Sequence, residues 1–247
     1  MTDRHIMTED AMNTQSRRQR EFRQREQKFV NAARDIIRRE SVSNLTMDKI
    51  AELTEYAKGT VYKHFSCKED ILCGLCLDGL EHLLNQFEFS TTFPGTCRER
   101  ILCLAMSYKQ FTLQFPEEFD LLISCRTDNI RDKASPLRMQ QLDELEQQII
   151  DLLKNLISQA IEKDDLCLPD NMKQDDICFG LWAMTFGMLT LDRTDPTVRS
   201  LQSSDTDQLI RSQIGCLLDG YGWAPLSRNH DYDLTYNNIL AFLNPAS

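Results

Sequence analysis

The sequence predicts an all-α protein, in which a small N-terminal helical domain precedes a larger helical one. Apolar residues recur at helical spacing along most of the chain, and no segment shows the alternation of a half-buried strand. Proline and short polar stretches interrupt this pattern where helices are expected to end. The length of 247 residues suits one small and one larger domain.

The helices follow in order from this pattern. A polar tail at 1–15, which we expect to be flexible, precedes a first helix over about 17–40. Thr46 is a good N-cap for a second helix ending near Glu55, because its hydroxyl can accept a hydrogen bond from the first turn. About ten helices are expected in all, the others lying near 57–64, 68–89, 96–115, 117–131, 137–163, 172–191, 205–221 and 231–243.

Charge is unevenly distributed along the chain, whose formal net charge is −10. Residues 16–66 carry 12 Lys/Arg against 7 Asp/Glu, whereas residues 67–247 carry 15 against 28. A basic segment on an acidic chain favours a polyanionic partner for that segment alone. A solvated helix face would carry the same charges, so this alternative stays open.

Other features argue against several classes of protein. No apolar run approaches the length of a membrane span and the N-terminus lacks an apolar signal segment, so we expect a cytoplasmic protein without a membrane partner. The nine cysteines are scattered and odd in number, which favours reduced, mostly buried thiols. Cys67, Cys73 and Cys76 lie near His64, but within one helical pattern, so no metal is expected.

The stretch "LTEYAKGTVYKHF", residues 53–65, gathers basic and aromatic groups on two turns of helix. Two short helices joined by a tight turn form a helix-turn-helix, whose second helix enters the major groove of DNA. Gly59 costs about 1 kcal/mol inside a helix relative to alanine, and close approach of the backbone to DNA would explain it. The residues placed to form a small core are Ile50, Ala51, Leu53, Tyr56, Val61 and Phe65. The residues expected to face outward are Lys58, Gly59, Thr60, Tyr62, Lys63 and His64.

The longer segment "LTMDKIAELTEYAKGTVYKHFSCKEDIL" resembles the DNA-binding domain of the TetR (tetracycline repressor) family. The family pattern runs T-x-x-x-I-A, a turn, S-K-G-T-hydrophobic-Y-x-x-F and then S-K-E-x-L. The matching positions are Thr46, Ile50, Ala51, Lys58, Gly59, Thr60, Val61, Tyr62, Phe65, Lys68, Glu69 and Leu72. Three positions depart from it, since Glu55 stands where glycine is frequent, and Ala57 and Cys67 stand where serine is usual.

The resemblance implies a domain order and a set of DNA contacts. After the tail at 1–15, it implies a helix-turn-helix domain at 16–66, a connecting long helix at 67–95, and a ligand-binding and dimerisation domain at 96–247. The implied DNA-binding residues are Thr46, Lys58, Gly59, Thr60, Tyr62, Lys63, His64 and Lys68. Of these, Lys58, Thr60 and Lys63 would face the groove, and the others would contact phosphates or approach the backbone. Arg17, Arg18 and Arg20 are candidates for an adjacent minor groove or backbone.

A single helix-turn-helix binds DNA weakly, so a homodimer on an inverted-repeat operator in double-stranded DNA is expected. Family members pair through their last two major helices, and small residues in such helices allow close approach. The candidate dimer residues are Phe179, Gly180, Ala183, Gly187, Ile214, Gly215, Leu217 and Leu218. The glycines could instead relieve crowding inside one subunit.

The resemblance also implies a small-molecule effector, bound among the middle helices, that releases a repressor from its operator. The candidate ligand-binding residues are Met106, Tyr108, Phe111, Phe115, Phe119, Leu122, Arg126, Trp182 and Phe186. Such an apolar lining suits a hydrophobic ligand, although aromatic residues at helical spacing also form plain core. The sequence does not identify the effector.

Two other classes of function were weighed. An architectural or cell-division-linked DNA-binding protein of the same fold would need no small effector, and a crowded middle domain without a pocket would favour it. An enzyme is not expected, because the sequence has no Gly-rich phosphate loop, no G-x-S-x-G and no H-E-x-x-H. Neither a catalytic site nor a cofactor is therefore predicted.

Overall fold

A computed structural model confirms the all-α fold. It describes residues 3–127, 130–201 and 205–244, with side chains from residue 16 onward except that of residue 127. These ranges contain twelve α-helices and no strand. The helices are α1 (Asp3–Arg39), α2 (Met47–Thr54), α3 (Lys58–Val61), α4 (Lys68–Thr91), α5 (Cys97–Gln114), α6 (Pro116–Thr127), α7 (Ile130–Lys133), α8 (Pro136–Glu162), α9 (Gln174–Thr194), α10 (Pro196–Arg199), α11 (Thr206–Gly220) and α12 (Tyr232–Leu243).

Most helix ends lie within a few residues of the predicted ones. Helix α1 begins at Asp3, so its first turns include residues where the sequence predicts a flexible tail, and the side chains of 1–15 lie outside the described residues. Helix α3 is shorter than the predicted 57–64 and continues as hydrogen-bonded turns. The predicted helix at 117–131 is divided into α6 and α7.

The chain forms two compact units. Unit 1 comprises Met1–Cys76 and Ser124–Gln140, and unit 2 comprises Leu77–Ile123 and Gln141–Ser247. Unit 1 therefore contains a segment from the middle of the chain as well as the helix-turn-helix region. Helices α4, α6 and α8 each contribute residues to both units.

The core of unit 1 lies where α1, α2 and α4 pack around the turn that follows α3. Phe29, Ile50 and Val61 are fully buried, and Phe65 is 1% exposed. Gly74 of α4 permits close packing here, since a Cβ atom on it would lie 3.2 Å from a methyl group of Val30 and 3.4 Å from the Phe65 ring. The side chains that follow α3 are thereby held between α1 and α4.

Asp70, in the first turn of α4, ties two parts of unit 1 together. Its buried carboxylate accepts hydrogen bonds from Ser66 N (2.8 Å), Ser66 Oγ (2.5 Å) and Ser135 N (2.5 Å). Burial by itself raises the pKa of Asp70, but the hydrogen bonds from Ser66 and Ser135 outweigh it and hold this pKa below its usual value. The segment before α8 is thus bonded to the start of α4.

The cysteine side chains are mostly buried, and no disulfide is formed among them. The neighbouring Cys125 thiol, together with burial, raises the pKa of the Cys73 thiol. Within the part of the chain that the structure describes, no group of three or more His, Cys, Asp or Glu side chains is arranged to hold a metal ion.

In unit 2, the Arg98 side chain of α5 is 1% exposed and holds the C-terminal part of the chain. Its guanidinium donates to Asp219 Oδ1 (2.6 Å), Ser227 Oγ (3.0 Å) and the Trp223 carbonyl, and lies 4.9 Å from the Tyr232 ring centroid. These contacts join α5 to α11 and α12. No helix among the described residues is long and apolar enough to cross a membrane.

We expect Asp70→Asn to lower the free energy of unfolding by about 1–3 kcal/mol at pH 7, because the carboxylate accepts from three donors. Since the folded-state pKa of Asp70 is lowered, this contribution is present above the unfolded pKa and is lost as pH falls through the folded pKa. The difference between the two proteins should therefore shrink below about pH 4. Urea unfolding at pH 7, 5 and 3 measures it, with Asp35→Asn, at an exposed position, as the control.

Candidate nucleic-acid interface

Helix α2 and the turn after it have the geometry of a helix-turn-helix. Thr46 is extended (φ −137°, ψ 153°), and its hydroxyl accepts a hydrogen bond from Lys49 N at 3.2 Å, which confirms it as the N-cap. Glu55 ends α2 in the left-handed region (φ 58°, ψ 26°), where a side chain costs about 1 kcal/mol or more. Tyr56 N then donates to the Ala51 carbonyl at 3.1 Å and closes the turn.

Helix α3 is one turn long and is extended by further turns. Ala57 stands at its N-cap with extended backbone, and its methyl group cannot accept a hydrogen bond. Lys63 N donates to the Thr60 carbonyl (3.2 Å), and His64 N donates to that of Val61 (3.0 Å). Because Val61 and Phe65 face the core, the opposite side of these turns faces solvent.

The outer side of α3 carries an exposed lysine, an exposed glycine and an exposed tyrosine. Lys58 and Gly59 lie there, and Tyr62 is 46% exposed. Lys58 Nζ lies 2.5 Å from Asp48 Oδ1 and 6.0 Å from the centroid of the Tyr62 ring. The hydrogen bond from Lys58 to Asp48 raises the pKa of the lysine, which keeps it charged. A phosphate that binds Lys58 must compete with Asp48 for this ammonium group.

The remaining predicted DNA contacts are distributed around this face. Thr46 and Lys63 are exposed, Thr60 is half-buried, and Lys68 is half-buried at the first residue of α4. Among the cations at the start of α1, Arg17, Arg18 and Arg20 are exposed, and Arg17 Nε lies 2.9 Å from Glu21 Oε1. Exposed pairs of this kind contribute little to stability, so these arginines can rearrange freely.

His64 does not face outward, so its predicted role as an outward phosphate contact is wrong. Its side chain is 1% exposed and stacks on Phe22, with ring centroids 3.9 Å apart. The ring also meets Phe29 edge-on at 5.2 Å. Burial lowers the pKa of His64, although Glu26 opposes this, so the imidazole is disfavoured as a cation. Side chains three residues apart share a helix face, so His64 lies beside the buried Val61.

One of the predicted core residues of the helix-turn-helix is also misplaced. Leu53 is 46% exposed, whereas Ile50 and Ala51 on the same helix are buried. Tyr56 is half-buried and packs edge-on against Phe29, with ring centroids 5.3 Å apart. The small core therefore uses α1 more than the sequence indicated.

Unit 2 contains a small, partly open apolar cavity of about 40 Å³. Its lining residues are Phe87, Ile101, Leu104, Ala105, Tyr108, Ile149, Leu153, Leu181, Trp182, Thr185 and Ile214. Tyr108 and Trp182 belong to the predicted ligand-binding set. The other members of that set are elsewhere: Met106, Phe111, Phe119 and Leu122 are buried in the core, Phe115 and Phe186 are half-buried beside them, and Arg126 belongs to unit 1.

The predicted dimer residues divide into two groups. On α9, Phe179 is 73% exposed and Ala183 is exposed, while Gly180 and Gly187 are half-buried. On α11, Leu217 is half-buried. Ile214 and Leu218 are 1% exposed, so the prediction that they lie on a free dimer surface is wrong, because their side chains fill the core of their own unit. Gly215 also faces its own unit, since its carbonyl accepts from Arg98 Nη2 at 3.3 Å.

Comparison with known proteins identifies the type of the N-terminal domain. Residues 29–73 match the family model of bacterial regulatory proteins, tetR family. The helix-turn-helix of this chain is therefore a tetR-type DNA-binding domain. This match supports a DNA-binding transcriptional regulator.

The fatty acid metabolism regulator protein of Bacillus subtilis (strain 168) is 25% identical to this chain over 138 residues, 56% of this chain and 69% of that one. Solved structures share the fold. FadR from Bacillus subtilis in complex with stearoyl-CoA has a TM-score of 0.57 at 18% identity and covers 78% of this chain and 98% of its own. A protein of unknown function from Rhodococcus sp. RHA1 has a TM-score of 0.63 at 19% identity and covers 79% and 94%.

Three residues near the outer face of α3 carry contacts that the sequence did not predict. The ion pair of Asp48 with Lys58 depends on the turn between the helices. Glu26 and Arg138 form a largely buried ion pair in unit 1. Residues so distant along the chain share no local pattern, so no sequence signal could have paired them.

Gly59→Ala should separate folding from DNA binding. Among the described residues nothing lies within 4 Å of an added Cβ atom, so alanine fits the free protein and should stabilise it by up to about 1 kcal/mol. If the glycine permits close approach of α3 to DNA, the same change should weaken duplex binding about tenfold. Gly220→Ala, at an equally open site in unit 2, is the control. Denaturant unfolding and fluorescence anisotropy with labelled duplex measure both effects, and unchanged duplex affinity for Gly59→Ala would contradict the close approach.

Proposed function

We propose that this protein is a homodimeric repressor that binds an inverted-repeat operator and is released from it by a ligand with a long acyl chain. The observation that carries the proposal is the outer face of α3, where Lys58, Gly59 and Tyr62 are exposed while Val61 is buried. A helix one turn long with a cation and a phenol hydroxyl at its surface suits a major groove about 12 Å wide.

The proposed contacts divide the DNA-reading work between groove and backbone. Lys58, Thr60 and Lys63 would face the groove, and Tyr62, Thr46 and Lys68 would bind phosphates through hydroxyl and ammonium groups. The Thr46 hydroxyl accepts from Lys49 N, which leaves its proton available for a phosphate oxygen. His64 is not part of this proposal, because its side chain is buried.

A stripe on α9 supports the homodimer. Phe179, Ala183, Gly187 and Leu191 stand four residues apart along the helix, so they line one face. Phe179 is 73% exposed and Leu191 is 44% exposed, which is unusual for large apolar side chains on one face. A second copy of this chain is the proposed partner of this stripe, since an inverted repeat requires two identical heads related by twofold symmetry.

Two comparisons and one cavity support an acyl-chain ligand. A relative is a fatty acid metabolism regulator, and FadR from Bacillus subtilis is known in complex with stearoyl-CoA. The cavity in unit 2 is lined almost entirely by apolar side chains, which is the surface that an alkyl chain prefers.

The size of the cavity suggests how such a ligand would act. A volume of about 40 Å³ is far below the roughly 300–1,000 Å³ of typical ligand pockets. A long acyl chain would therefore have to displace side chains such as Tyr108 and Trp182 to enter. A ligand that fits the opened state better than the closed one shifts the protein towards the opened state. In the dimer, the two helix-turn-helix domains must reach successive major grooves, which are about 34 Å apart. Release from DNA follows if the opened state changes the distance between these two domains.

The small cavity also favours the second candidate function. An architectural DNA-binding protein of this fold needs no effector, and the small volume of this cavity agrees with that role. The two candidates differ in stoichiometry, since a repressor saturates a short inverted repeat with two protomers, whereas an architectural protein coats long DNA without limit.

We expect operator duplexes selected from random DNA to contain an inverted repeat, and Lys58→Ala to reduce the slope of log affinity against log salt by about two in the dimer. Tyr62→Phe should weaken binding about tenfold with little change in slope, because it removes a hydrogen bond and no charge. Lys154→Ala is the matched control, since Lys154 also pairs with an aspartate (Asp175, 2.7 Å) but lies on unit 2. Wild-type affinity in both α3 variants would contradict this reading surface.

Stearoyl-CoA should weaken operator binding at least about tenfold, whereas coenzyme A alone should not. Ala105 lines the cavity, so Ala105→Phe should fill it and abolish the response while operator binding persists. Ala241→Phe adds the same volume at an exposed position of α12 and should keep the response. Anisotropy titrations of labelled operator measure each case, and an equal effect of coenzyme A alone would count against an acyl-chain ligand.

A further inference from the structure

The segment Ser124–Gln140 belongs to unit 1 although it comes from the middle of the chain. Its last part begins α8, and the Arg138 side chain there is only 7% exposed. The Arg138 guanidinium donates to Glu26 on α1 and lies 4.9 Å from the centroid of the Phe65 ring. A buried arginine thus meets α1 and the residue that anchors the turns after α3.

Glu26 lies between this arginine and the end of the DNA-reading turns. One of its oxygens accepts from Arg138, and the other lies 3.8 Å from His64 Nδ1. His64 and Phe65 are the residues whose amides donate to the Val61 carbonyl, each at 3.0 Å. The Arg138–Glu26 ion pair therefore lies next to His64, at the C-terminal end of the turns after α3.

The same segment also holds the chain just after these turns. Ser135 N donates to Asp70, which in turn accepts from Ser66, and Cys67 Sγ donates to the Lys133 carbonyl at 3.4 Å. The segment Ser124–Gln140 therefore forms hydrogen bonds with both Cys67 and Asp70. A segment that merely filled the core would need neither the ion pair nor these hydrogen bonds.

We infer that Arg138 is a positioning residue for DNA binding: through Glu26 and Phe65 it holds the turns after α3 in the orientation that presents Lys58 and Tyr62 to the duplex. The inference rests on the proposed role of α3 in reading DNA. A direct phosphate contact by Arg138 is excluded from it, because the guanidinium is buried and its charge is paired with Glu26.

The two kinds of role predict different salt dependence. Loss of a phosphate-binding arginine lowers the salt slope by about 0.9 per subunit, whereas loss of a positioning residue weakens binding without changing the number of phosphates neutralised. A merely structural role would lower the unfolding temperature while the folded protein bound DNA as before. The three possibilities are therefore distinguishable in one set of measurements.

The experiment compares R138M, E26M and the double variant R138M/E26M in the full-length protein, with an operator duplex selected by the wild-type protein as the probe. We expect each single variant, measured well below its unfolding temperature, to bind about tenfold more weakly with an unchanged salt slope. The double variant should bind no more weakly than the weaker single variant, because the two side chains act as one contact. Amide hydrogen exchange should rise at His64 and Phe65 and stay unchanged in α2.

Lys133→Met is the matched control, since Lys133 lies in the same segment but its side chain is 61% exposed. The double variant also covers the case in which a single variant fails to fold, because two methionines leave no unpaired buried charge. Wild-type affinity in a folded variant, a salt slope reduced by about two in the dimer, or effects that multiply in the double variant would each overturn the inference. A wild-type protein that selects no duplex would instead refute the proposed function and is recognised before any variant is made.

Discussion

Burial of Val61 and Phe65 is the interaction on which the proposed DNA-reading surface, the outer face of α3, depends. These two side chains are 0% and 1% exposed, and burial of such side chains stabilises a fold by roughly 1.5–3 kcal/mol each. Because they face inward, the opposite side of the same short turns must face solvent. Gly74 allows α4 to approach Phe65 closely, so the position of Phe65 is set by its packing against α4. Lys58 and Tyr62 are exposed because Val61 and Phe65 are buried.

Electrostatics around the surface is more balanced than the basic composition of residues 16–66 indicates. Lys58 pairs with Asp48, Arg138 with Glu26, and Arg17 with Glu21. Each pair restricts where a cation can lie when DNA is absent. The exposed pairs can exchange their carboxylate for a phosphate at small cost, whereas the buried pair cannot, because an unpaired buried charge is strongly unfavourable. Exposure thus separates cations suited to bind DNA from a cation suited to hold the fold.

Helix α8 contributes residues both to the unit that contains the helix-turn-helix and to the unit that contains the cavity. Unit 1 contains the helix-turn-helix and the segment Ser124–Gln140, and α8 carries Arg138 in unit 1 and the cavity residues Ile149 and Leu153 in unit 2. The cavity has a volume of only about 40 Å³, so a large ligand would require rearrangement of its walls. Rearrangement on binding is what makes a ligand able to distinguish two states of a protein.

The sequence by itself determined the all-α class, the Thr46 cap and most helix ends, because these depend on periodicity and on residues a few positions apart. The tetR-type motif also identified α3 and its exposed Lys58 and Tyr62. Only the tertiary structure decided that His64 is buried against Phe22, that Leu53 faces solvent, and that Ile214 and Leu218 fill the core of their own unit. It alone brought Arg138 to Glu26. These outcomes depend on which helices meet, and contacts between residues far apart in the chain leave no local pattern to read.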